Sequence, residues 1–122
     1  MAVLGLDLGE RRIGVAANLV GSLVVELPTI EYSVATAAVS AIGLLVQERE
    51  IATIVVGTPR VGTPLESFVV LLVDRLPGVE LVQLDEALTT KEAERQAGTS
   101  ADTDAIAARL ILEQYLAMKE QV

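Results

Sequence analysis

The chain contains no cysteine and no histidine. The first absence removes disulfides and thiolate chemistry, as expected of a protein kept in a reducing compartment. The second removes zinc sites of the usual kind, Ser-His-Asp triads and imidazole acid–base work. Any hydrolysis must therefore rest on carboxylates, a metal or a lysine. Aromatic residues are also scarce. Tyr32, Phe68 and Tyr115 are the whole set, too few to form an evident platform for stacking bases. Basic residues number 9 against 17 acids, for a net charge of −8, which excludes the broad basic face of a nonspecific duplex binder. No apolar run is long enough to cross a bilayer. Residues 33–46 carry no charge, but a span needs about 20 residues. The N-terminus lacks a basic flank before an apolar core, so no signal peptide is expected. The expectation is a soluble cytoplasmic protein with no membrane partner.

What is present is apolar surface and a few acids in costly places. Hydrophobic residues make up 52% of 122 positions, enough for a single domain over residues 1–122 with a real core. Asp7 interrupts the strand-like Ala2-Val3-Leu4-Gly5-Leu6-Asp7-Leu8-Gly9. An ionised acid in such a setting loses hydration unless something neutralises it. Asp85-Glu86 end the apolar segment 79–84, and Asp104 heads the helical run that begins at Ala105. Acids at strand ends and a helix start, far apart in sequence, suit a magnesium site built on a folded sheet.

Periodicity orders the elements. Residues 3–8 and 13–18 read as two strands of a hairpin across the turn Gly9-Glu10-Arg11-Arg12, and residues 23–27 as a third strand. Residues 33–50 read as a helix, with Val39, Ile42, Leu45 and Val46 at helical spacing. Thr53-Ile54-Val55-Val56 is a short strand apolar on both faces. A helix over 65–76, a strand over 79–84, a short helix from Thr89 or Thr90 to Gln96, and a last helix from Asp102 or Thr103 to about Lys119 complete the chain. Three meandering strands followed by strand–helix alternation predict an α/β fold with a five-stranded mixed sheet and helices on both faces. Strand two should lie antiparallel to strands one and three. The ends of strands one, four and five then meet along one edge, where open α/β sheets bind ligands.

Four segments, taken together and in order, resemble the YqgF/RuvX family of ribonuclease H-like proteins. They are Leu4-Gly5-Leu6-Asp7-Leu8-Gly9 with Arg12-Ile13-Gly14-Val15-Ala16; Ile54-Val55-Val56-Gly57-Thr58-Pro59; Asp85-Glu86 with Leu88-Thr89-Thr90 and Glu92-Ala93-Glu94; and Asp104 with Ala107-Ala108 and Ile111-Leu112. The resemblance runs from end to end. It implies a nuclease acting on the 5′ end of precursor 16S rRNA, in a family first named for Holliday-junction resolution. Structured RNA is then the favoured partner and branched DNA the alternative. It also implies that Asp7, Glu86 and Asp104, with Asp85 beside them, form an acidic site for two Mg2+ or Mn2+ ions. Such a pair activates water and stabilises the leaving oxygen of a phosphodiester. Arg11, Arg12, Arg60 and Lys91 are the candidate phosphate contacts.

The residues alone leave alternatives standing. Asp7 could simply pair with Arg11 or Arg12 across the hairpin. An acid at the head of the last helix is favoured by the macrodipole by about 0.3–1 kcal/mol, and Asp102 serves that purpose as well as Asp104; the resemblance selects Asp104. The chain also departs from the family pattern. Ala87 stands where an arginine usually follows the Asp-Glu pair. Arg60-Val61-Gly62 replaces a longer polar loop, and Gly98-Thr99-Ser100-Ala101-Asp102-Thr103 carries no base. These departures favour a non-catalytic binding or assembly protein as the competing function. An actin-like or sugar-kinase-like ATPase shares an Asp-x-Gly hairpin, but it needs two such domains to enclose a nucleotide. The high apolar fraction is compatible with a homodimer.

Overall fold

The computed structural model describes residues 2–21, 23–57, 64–84 and 103–120. The elements run β1 (Ala2–Leu8), β2 (Arg12–Val20), β3 (Leu23–Glu31), α1 (Ala35–Arg49), β4 (Ile51–Gly57), α2 (Pro64–Arg75), β5 (Glu80–Leu84) and α3 (Thr103–Glu120). They build one five-stranded sheet in the order β3-β2-β1-β4-β5. β2 is antiparallel to β1 and to β3, while β1, β4 and β5 run parallel. The expected short helix over residues 89–96 lies outside the described residues.

Alternation along β1 sorts the two layers, because successive strand residues face opposite sides. Leu4, Leu6 and Leu8 join Ile13, Val15, Ile54 and Val56 on one face, beneath Ala38, Val39 and Ile42 of α1 and Phe68, Val69 and Leu72 of α2. Val3, Ala16 and Val55 face the other way, against Ala108, Ile111, Leu112 and Tyr115 of α3. β4 supplies apolar side chains to both layers, as a strand buried on both faces must. Ile111 and Leu112 are fully buried, and each such side chain contributes about 1.5–3 kcal/mol of transfer free energy.

α3 sits close on its face because β1 and β2 carry no side chain beneath it at Gly5 and Gly14. A Cβ placed on Gly5 would lie 2.8 Å from the carbonyl oxygen of Ala108 and 2.9 Å from Leu112 Cβ. The helix backbone thus occupies the space that any larger residue would fill.

Most boundaries differ from expectation by one or two residues, and two have a physical reason. β3 continues past Pro28 to Glu31. Ile13 pairs with Ile30 and Val15 with Leu27, so Pro28 and Thr29 together oppose Gly14. That is a β-bulge on an edge strand, where a missing proline N–H breaks no ladder. α1 begins at Ala35, with Val34 in extended geometry at its N-cap and no side-chain cap. Ser33, read as helical from the sequence, belongs to the connection.

Candidate active site

Asp7 lies on β1 directly across from Gly14 on β2. Directly opposed residues of an antiparallel pair project to the same face, and here it is the face of Gly5, which α3 covers. Asp104 is in the first turn of α3. A Cβ on Gly14 would stand 1.9 Å from the carbonyl oxygen of Asp104 and 2.3 Å from its carbonyl carbon. The head of α3 is therefore seated on the bare backbone of Gly14, and Asp7 occupies the neighbouring strand position. Two acids separated by nearly the whole chain arrive at one corner of the sheet.

The corner lies at the carboxyl ends of the parallel strands. Leu6 pairs with Val56 and Val56 with Gln83, so Asp7 is one residue beyond that row. β5 ends at Leu84 beside Gly57, and Asp85-Glu86 follow Leu84 in sequence. Asp85, Glu86, Arg60 and Lys91 themselves lie outside the described residues, as does Ala87.

Arg12 opens β2 and ion-pairs with Asp104, Nε to Oδ2, at 3.3 Å. The arginine considered for Asp7 thus bonds the helix acid. Asp104 keeps 29% of its side-chain surface exposed and Arg12 61%. An ion pair that open to water contributes at most about 1 kcal/mol, so the contact orients more than it stabilises. Farther along α3, Arg109 donates from Nε to Glu26 of β3 at 2.9 Å and from Nη1 to Glu113 at 3.1 Å. The first bond ties the helix to the edge strand one and a half turns beyond Asp104, and the second stays within α3.

Beside Asp104 lies an open notch of about 730 Å³, walled by the turn residues 9–12, by residues 31–33 at the end of β3, and by Asp104 itself. Its charged groups are Glu10, Glu31 and Asp104 against Arg11 and Arg12. That excess of acid repels a phosphate unless a cation is bound nearby. The turn is tightly wound, since a Cβ on Gly9 would meet the Arg12 carbonyl oxygen at 2.6 Å. Tyr32 binds the turn twice. Its N–H donates to the Arg11 carbonyl at 2.9 Å and its hydroxyl donates to the Gly9 carbonyl.

Oxygen donors of the Asp7 and Asp104 type suit a hard divalent cation. Among the described residues no group of three or more His, Cys, Asp or Glu is gathered closely enough to hold a metal. The third expected acid, Glu86, falls outside them. Gly14 and Tyr32 escaped the sequence reading. Gly14 stood within a segment that carries the family resemblance, but a small residue inside an otherwise apolar strand signals close backbone approach without saying by what.

The chain is similar to known proteins over nearly its whole length. The RuvX family model, described as Holliday junction resolvase, matches residues 1–118. The chain is 35% identical to a "Putative pre-16S rRNA nuclease" of Thermoanaerobacter pseudethanolicus, over 95% of this chain and 96% of the relative. It is 34% identical to the protein of the same name from Acetivibrio thermocellus, over 100% and 99%. Among solved structures, the fowlpox virus resolvase in complex with Holliday junction DNA superimposes with a TM-score of 0.66 at 6% identity, covering 98% of this chain and 99% of that one. Thermus thermophilus RuvC with its Holliday junction substrate gives 0.62 at 15%, over 98% and 96%. At such identities the likeness is one of fold, and it is the ribonuclease H-like fold that the family resemblance implies. With the family model spanning all but the last four residues and relatives aligned over their full length, this chain belongs to the RuvX (YqgF) family.

Proposed function

We propose that the protein is a metal-dependent nuclease that hydrolyses phosphodiester bonds in structured RNA, acting in the cytoplasm on the 5′ end of precursor 16S rRNA. The observation that carries this reading is the seating of Asp104 on Gly14 beside Asp7, which brings two hard oxygen donors to the edge where β5 leads into Asp85-Glu86. The names of the curated relatives supply the substrate.

Asp7, Asp104 and Glu86, with Asp85 adjacent, are the residues that would hold Mg2+ or Mn2+. When bound, such ions supply an activated water and neutralise developing charge on the phosphate. The rest falls to side chains of this chain. Arg12 fixes the rotamer of Asp104 and, with Arg11, presents cationic donors at the notch, where a nucleic-acid phosphate can be gripped. Arg60 and Lys91, outside the described residues, are the further candidate phosphate contacts. With no histidine in the chain, proton transfer to the leaving oxygen does not use an imidazole.

The test is cleavage of an oligonucleotide spanning the 5′ precursor junction, with Mn2+ titrated against thermal stability in parallel. Mn2+-dependent cleavage and stabilisation, both lost in Asp7→Asn, are the expected result. Equal residual cleavage by wild type and Asp7→Asn would sink the reading. The acid excess at the notch favours a second one, an assembly protein that keeps the fold without catalysis, and indifference to Mn2+ would support it. The family description favours branched DNA as the alternative substrate, and a four-way junction in the same assay separates the two.

A further inference from the structure

We propose that Tyr32 is a positioning residue, whose hydroxyl locks the β1–β2 turn so that Arg11 and Arg12 are presented to the substrate phosphates. The proposal rests on the nuclease reading and assigns that site a residue outside its acids and bases.

A four-residue turn carrying two adjacent arginines has no side-chain packing of its own to hold it. Glu10, Arg11 and Arg12 are all exposed. Its fixed conformation has to come from backbone bonds, and Tyr32 makes two of them to carbonyls on either side of Glu10. The N–H reaches Arg11 and the phenol hydroxyl reaches back to Gly9. The first bond continues the β2–β3 ladder and any residue would make it. The second needs a hydroxyl at the end of an aromatic ring.

The ring is itself anchored. It packs against Phe68 of α2 with centroids 5.8 Å apart at 45°, and Phe68 belongs to the buried core beneath the sheet. Tyr32 therefore connects the core to the tip of the hairpin through one rigid side chain with only two rotatable bonds. Burial, and secondarily the nearby Glu10 carboxylate, raise its phenol above the ordinary value, so the hydroxyl keeps its proton as a donor at neutral pH. Arg12 leaves this clamped turn to reach Asp104 at 3.3 Å. Fixing the turn thus fixes the arginine and, through it, the carboxylate rotamer.

Tyr32→Phe keeps the ring and its contact with Phe68 and deletes the single donor, so the variant folds. The probe is a fluorescein-labelled RNA oligonucleotide of the precursor junction, measured by anisotropy across a salt series, with cleavage kinetics alongside. Loosening the two arginines should weaken RNA binding about three- to tenfold and make log Kd less steep in log salt. KM should rise more than kcat falls, and Mn2+ stabilisation should persist. In the Arg11→Ala, Arg12→Ala background the same substitution should cost almost nothing further, because its effect passes through those side chains. A purely structural staple would instead lower Tm and leave Kd, the salt slope and KM at wild-type values, and that outcome overturns the proposal. Equal loss from Tyr32→Phe with and without the arginines overturns it as well. Wild-type protein that binds no RNA at any salt overturns the nuclease reading and this role with it. Binding that responds to the arginines but not to Tyr32 overturns this role alone.

Discussion

Asp104 rests its main chain on Gly14, with its carbonyl oxygen where the glycine's side chain would begin. The contact makes the placement of a candidate ligand depend on an absence of atoms in β2. Gly14→Ala should therefore lift the head of α3 and cost about 2–3 kcal/mol, the upper range for overpacking. Mn2+-induced stabilisation should vanish at the same time. Gly78, where an added Cβ would meet nothing within 4 Å, is the control. Gly78→Ala should be neutral, or stabilising by about 0.4–1 kcal/mol. Urea melts with and without Mn2+ read both effects.

Asp7→Asn keeps the size of the half-buried side chain while removing a candidate metal ligand, so the metal-free protein should stay about as stable as wild type. Cleavage and divalent stabilisation should both disappear. A loss of more than about 2 kcal/mol in metal-free stability would reveal Asp7 as a structural residue instead.

Arg12→Gln removes a cation from Asp104 and a donor from the notch. The exposed pair is worth little, so stability should fall by less than about 1 kcal/mol. Mn2+ should bind about two- to threefold more tightly once its competitor for the carboxylate is gone, a change of roughly 0.5 kcal/mol. RNA should bind more weakly, with the salt slope reduced by about 0.7 for one lost single-strand phosphate contact. Opposite shifts in metal and RNA affinity from one substitution are the signature; isothermal titration and anisotropy measure them.

Alkaline pH should expose the Tyr32 bond. The folded state holds the phenol proton more tightly than the unfolded chain does, through burial first and Glu10 second. The stabilisation is whole below the unfolded value of about 10 and is lost as pH rises through the raised folded value. Glu10, Arg11, Arg12, Glu31 and Asp104 share its notch, and on the α2 side its neighbours Leu65, Ser67, Phe68 and Leu71 carry no charge. Melting temperatures of wild type and Tyr32→Phe from about pH 8 to 11 should converge as the wild type loses this bond.

Much of the architecture was legible because it rests on local rules. Leu4, Leu6 and Leu8 alternate against Val3, Gly5 and Asp7, and that alone yields a strand with two differently employed faces. The wholly apolar 53–56 segment could only be an interior strand. The third strand runs on past Pro28 because a proline stops a strand only where its N–H is needed, and β3 is an edge with a bulge at that point. The site was legible only in part. Asp7 stood out through its cost. Asp104 was indistinguishable from Asp102 by composition, since either can cap a helix. Its pairing with Arg12, its seat on Gly14 and the reach of Tyr32 to Gly9 are long-range facts that no window of sequence contains.

Asp7 belongs to the first strand and Asp104 to the last helix, and this ordering has a consequence for synthesis. Strands β1 to β3 can pair as soon as they leave the ribosome, since their contacts are local. The acidic corner waits for α3, because closing a loop of that length comes late. A nascent chain lacking residues 103–120 carries the hairpin and its arginines without the second acid. The proposed acidic site is therefore complete only once the final helix has docked on Gly5 and Gly14.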